Sequence, residues 1–66
     1  MFSKRLKELR LEKKLLQSQL ATELNVDRTT IIKWENGQNQ TDFATLIKIA
    51  DFFDVSIDYL LGRKDY

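Results

Sequence analysis

No cysteine, histidine or proline occurs among the 66 residues of this chain, and only two are glycine. Each absence removes a class of function. Without cysteine there is no disulfide, no thiolate nucleophile and no soft metal ligand. Without histidine, zinc-finger ligation and the usual general base are gone. No convincing pair of carboxylates replaces them, so the residue inventory points away from an enzyme and toward a domain that holds neither metal nor cofactor. No apolar run approaches the roughly 20 residues that a membrane-spanning helix needs. The first ten residues, MFSKRLKELR, carry charge where a signal peptide needs an apolar segment. Missing cysteines agree with a reducing compartment, and the expectation is a soluble cytoplasmic domain with no membrane partner and no small-molecule ligand. With no low-complexity segment, internal repeat or linker, residues 1–66 read as one domain. A chain this short buries only about 60% of its unfolded surface, which predicts modest stability or help from association.

Charge is nearly balanced, at +1 overall, but it is unevenly placed. Residues 1–14 hold Lys4, Arg5, Lys7, Arg10, Lys13 and Lys14 against Glu8 and Glu12, a net +4. Residues 15–37 sum to −1 and residues 38–66 to −2. Such a polarised molecule suits a one-faced binder of an anionic partner. The same cations also serve simply to solvate a first helix.

The most informative stretch is QSQLATELNVDRTTIIKWENG, residues 17–37. Leu20, Ala21 and Leu24 mark one face of a helix that begins near Gln17. Asn25 interrupts it, and Asn tolerates the left-handed backbone of a helix end. Val26 tucks under the turn, and Asp27 is suited to cap a second helix. Ile31 and Trp34, three residues apart, form the buried stripe of that helix. Arg28, Thr29, Ile32 and Lys33 are left on its outer face. Gly37 ends it in the left-handed region without a Cβ penalty.

The remaining pattern is also helical. A first helix runs from about Ser3, its expected N-cap, to Lys13, with Phe2, Leu6 and Leu9 inward. Asp42 caps a helix to about Phe53 that buries Leu46, Ile49, Ala50 and Phe53, with Phe43 and Ile47 flanking. Asp54 closes it and Val55 returns to the core. Ser56 caps a short last helix ending at Gly62, with Tyr59 and Leu60 largely internal and Asp58 placed to suit its dipole. The sum is an all-α bundle of five helices.

Residues 17–37 resemble the helix-turn-helix of the Cro/repressor-type, or xenobiotic-response-element, family of phage and bacterial regulators. The match rests on Leu20-Ala21, Leu24-Asn25-Val26, Ile31, Trp34 and the ending Glu35-Asn36-Gly37. The flanks RLKELRLEKKLLQ and LIKIADFFDVSIDYLLGR extend it over nearly the whole chain. The resemblance implies a compact five-helix fold of the lambda-repressor-like type, with the second and third helices forming the motif. It implies a repressor-type transcription regulator that binds double-stranded DNA at an inverted repeat, as a homodimer, through the major groove. Base readout then falls to Arg28, Thr29, Ile32 and Lys33, and backbone contacts to Gln17, Ser18, Asn36, Gln38, Asn39 and Gln40. It also implies an internal ion pair between Arg10 and Glu35, and two-fold contacts from Ile57, Tyr59 and Leu61. Those three equally suit peripheral core.

The chain departs from the family in several places. Lys14 stands where the family has a glycine that ends the first helix. Leu16 stands where it has a hydroxyl that caps the next helix and donates to a phosphate. Exposed Leu16 is then either tolerated or a partner contact. Ile32 replaces a small polar residue; it either packs on a thymine methyl or is sheltered by neighbouring aliphatic stems. The loop of Gln38, Asn39, Gln40 and Thr41 lacks the cations and the proline common in the family, which predicts a shallower salt dependence. These departures support a rival reading, an antitoxin-like or anti-regulator module that keeps the fold and binds protein. The retained Arg28 and Lys33 oppose it.

Overall fold

In the computed structural model, which describes residues 1–38 and 41–65, five α-helices follow one another. They are α1 (Phe2–Glu12), α2 (Gln17–Leu24), α3 (Arg28–Glu35), α4 (Phe43–Phe53) and α5 (Ile57–Leu60). Among the described residues there is no strand, and no helix is long and apolar enough to cross a membrane. One core joins all five. Leu6, Leu20, Leu24, Ile31, Ile49 and Leu60 are its fully buried large side chains. Each contributes about 1.5–3 kcal/mol relative to exposure. Ala21 is buried on α2 where it packs against α3, and its small side chain lets the two short helices approach closely. The Phe2 and Trp34 rings meet in a T-shaped contact, with centroids 6.3 Å apart, where Phe2 packs against the core.

Helix starts differ in how their free amides are satisfied. Asp42 and Ser56 accept hydrogen bonds from the amides of Thr45 and Tyr59, both at 2.9 Å, as N-caps should. Leu16 has no acceptor to offer at the head of α2. Gln19 answers in part, its Oε1 accepting from the Leu16 amide at 2.7 Å, which is the reciprocal half of a capping box. Two sequence expectations are corrected here. Asp27 holds the N-cap position of α3, yet its side chain makes no capping hydrogen bond; its backbone oxygen accepts from Thr30 instead, at 3.0 Å. Ser3 is not the cap of α1. The N-cap position is Met1, two residues earlier, with its carbonyl accepting from Arg5 at 2.9 Å, because Phe2 packs as part of the first turn.

Helix ends are set by left-handed residues. Asn25 (φ 60°), Asp54 (φ 55°), Gly37 (φ 74°) and Gly62 (φ 77°) all adopt it. Asn and Asp tolerate this conformation and glycine carries no penalty for it. Lys14 (φ 58°) has neither excuse, and it stops α1 at a real conformational cost. The end of α2 is further secured by Lys48, whose Nζ donates to the Leu24 carbonyl at 2.7 Å.

Two stability effects follow. Lys14→Gly relieves the left-handed strain, partly offset by the greater freedom of glycine in the unfolded chain. Thermal unfolding should show a gain of up to about 1 kcal/mol, a Tm higher by a few degrees. At Asp42, hydrogen bonds from the Thr45 side chain and then its amide hold the carboxyl below its ordinary value of 3.8. Because the folded value is the lower one, the stabilisation is complete above about pH 5 and is lost as pH falls through the folded value. The urea midpoint of Asp42→Ala should therefore lie below wild type at pH 7, with the gap closing in acid.

Candidate nucleic-acid interface

The second helix of the turn, α3, is buried through Ile31 and Trp34. Its other face carries Arg28, Thr29 and Lys33, all exposed. Helical spacing places Thr29 one turn from Lys33 and Arg28 one turn from Ile32, so the four form a single surface strip. Ile32 is half-buried. Part of its side chain is sheltered, and the remainder stands within the strip.

What aims this strip is a charged network beneath it. Arg10 of α1 donates from Nε to Glu35 Oε2 at 2.6 Å and from Nη2 to Glu35 Oε1 at 3.1 Å. Its Nη1 donates to the Leu15 carbonyl at 2.8 Å. Gln17 donates from Nε2 to Glu35 Oε1 at 3.1 Å. One carboxylate at the end of α3 thus gathers α1, the α1–α2 turn and the first residue of α2. The Arg10 and Glu35 side chains are only 9% and 3% exposed. A pair so dry is geometrically demanding, since its charges have given up water and depend on each other.

Above this network lies an open cleft of about 550 Å³. Lys7 of α1, Gln17 and Ser18 of α2, Arg28 of α3 and Asn36 just after α3 line it, with Leu16 at the α2 end. The fold therefore collects Gln17 and Ser18 from the start of α2, Arg28 from the start of α3 and Asn36 from its end around one opening. Gln17 enters it with its amide nitrogen already committed to Glu35. Gln38 is exposed just beyond Gly37, while Asn39 and Gln40 lie outside the described residues. Lys7 is the lining residue that sequence reasoning counted only as part of a basic segment. Its signal was present: it stands one turn before Arg10 on α1.

The surface at α5 is divided. Ile57 and Tyr59 pack against the core, whereas Leu61 is 42% exposed. Arg5 stacks over the Tyr59 ring, 4.3 Å from its centroid, and contacts Asp65 at 3.4 Å. Tyr59 first, and Asp65 after it, raise the Arg5 pKa above its ordinary value.

Breaking the buried pair should be costly because one charge is left unpaired. Glu35→Ala is expected to lower stability by about 3–5 kcal/mol. Arg10→Met/Glu35→Leu should cost less than the sum of its single substitutions by about 0.5–3 kcal/mol. Urea unfolding followed by circular dichroism measures both; strict additivity would show that the pair is not coupled.

Comparison with known proteins agrees with this geometry. A helix-turn-helix family model matches residues 6–60. The chain is 44% identical over 61 residues to the uncharacterized HTH-type transcriptional regulator YqaE of Bacillus subtilis, covering 92% of this chain and 53% of that protein. It thus spans about half the length of that curated relative. Among solved structures, the restriction-modification controller protein C.AhdI from Aeromonas hydrophila superposes with a TM-score of 0.80 at 34% identity, over 89% of both chains. The P22 c2 repressor, solved in complex with synthetic operator 9T, superposes with a TM-score of 0.89 over 97% of both chains. At 23% identity that likeness speaks for the fold. The match over most of the chain, together with α2 and α3 packed as the sequence motif requires, shows that the protein belongs to the helix-turn-helix family of the Cro/repressor type.

Proposed function

We propose that this chain is a sequence-specific double-stranded DNA-binding domain, acting in the cytoplasm as a repressor-type transcription regulator. The observation that carries the reading is the exposed Arg28, Thr29 and Lys33 strip on an eight-residue helix held against the core and anchored by the Arg10–Glu35 pair. Side chains so placed enter a major groove with their donors toward base edges. Gln17, Ser18, Asn36 and Gln38 flank the strip and contact the phosphate backbone, which sets register. The exposed remainder of Ile32 packs on a thymine methyl. Regulators similar to this chain support the assignment.

Two copies bind an inverted repeat with half-sites roughly 34–36 Å apart. Leu61, with the outer edges of Ile57 and Tyr59, supplies the two-fold contact. Arg28 pairs with guanine in each half-site, since its planar fork matches the O6 and N7 acceptors.

Selection from a random duplex library tests this, with Arg28→Ala/Lys33→Ala as control. Recovery of an inverted repeat that the control loses supports a dimeric reader. No enrichment at low salt would favour the protein-interaction reading. Arg28→Ala alone should weaken the selected site by about 1–3 kcal/mol and relax choice at one position. Equal weakening on every sequence would make Arg28 a phosphate contact.

A further inference from the structure

We infer that the cleft between α1, α2 and α3 receives one DNA phosphate, and that Lys7 of α1 is its counter-ion. The inference rests on the DNA-binding reading and adds a positioning residue from outside the helix-turn-helix. Lys7 and Arg28 face the cleft from different helices, and among the described residues neither forms an ion pair. The other two charges lining it, Arg10 and Glu35, neutralise each other. The cleft is therefore left with two cations from separate walls, together with the polar side chains of Ser18 and Asn36. That composition fits a phosphodiester, which is singly charged and accepts hydrogen bonds from several directions.

Placement supports the assignment. Arg28 is both the first residue of α3 and a wall of the cleft, so a phosphate held there lies beside the base-reading strip. A base edge contacted by Arg28 and a phosphate contacted by Lys7 would then be near neighbours on one duplex. Lys7 joins α1 to this contact, and α1 is already tied to α3 through Arg10. A backbone anchor on α1 therefore fixes the angle at which α3 meets the groove. Lys4, one turn earlier on α1, is exposed and does not line the cleft. It offers an internal comparison for charge without position.

The test compares wild type, Lys7→Gln, Lys7→Arg and Lys4→Gln on the selected operator and on an unrelated duplex, across a salt series. Each phosphate contact contributes about 0.9 to the slope of log K against log salt. For a dimer, Lys7→Gln should reduce the slope by about 1.8, so wild type loses about twelvefold more affinity than the variant between 50 and 200 mM salt. Lys7→Gln should weaken both duplexes alike and leave the preferred sequence unchanged. Lys7→Arg should retain the wild-type slope. A slope unchanged in Lys7→Gln, or lowered equally by Lys4→Gln, overturns the inference while leaving DNA binding intact. Failure of wild type to bind any duplex overturns the DNA-binding reading itself.

Discussion

Arg10 and Glu35 lie 25 residues apart in sequence, and their contact is the constraint on which the placement of α3 and its exposed strip depends. The carboxylate at the end of α3 takes two hydrogen bonds from the guanidinium and one from Gln17. The guanidinium spends a further donor on the Leu15 carbonyl, in the turn between α1 and α2. Apolar packing alone leaves helices some freedom to rotate and slide, because hydrophobic attraction is not directional. A planar guanidinium engaged with a carboxylate restricts both motions. The contribution to net stability is smaller than the contact suggests, since both charges were dehydrated to make it. Its larger effect is on orientation.

That orientation matters because α2 and α3 are each eight residues long. Isolated helices of this length are marginal in water, whatever their propensities. Both persist because Leu20, Ala21, Leu24, Ile31 and Trp34 are buried against each other and against α1 and α4. Their caps give uneven help: α2 has half a capping box and α3 has no side-chain cap. The helix-turn-helix is accordingly a product of the whole bundle, and an exposed side chain such as Arg28 is aimed by residues it never touches.

The electrostatics follow the same division. A net charge of +1 says little about an anionic partner. Within the fold, one cation of the basic first 14 residues, Lys7, and one of α3, Arg28, face the same cleft beside the paired Arg10. Elsewhere several basic groups are engaged in the structure: Arg5 stacks on Tyr59, Lys13 lies 5.7 Å from the Phe52 ring centroid, and Lys48 covers the end of α2. Position, more than total charge, separates the cations that face the cleft from those engaged within the fold.

Much of the fold was legible in the sequence because its causes are local. Apolar spacing marked the inward faces of α2, α3 and α4, and Asn25, Gly37 and Gly62 marked the ends through backbone preferences that each residue carries with it. Asp42 and Ser56 announced helix starts for the same reason. Arg10 with Glu35 was legible only by resemblance, since no local property links two residues so far apart. The tertiary structure alone decided the rest. It committed one end of Gln17 to Glu35, half-covered Ile32, passed over Ser3 as a cap because Phe2 had a place against Trp34, and left Asp27 without the hydrogen bond its type invites. It also moved Lys7 from an anonymous basic segment to the wall of a cleft. These outcomes depend on how three helices cross, and a side chain acquires them only once the core has set those crossings.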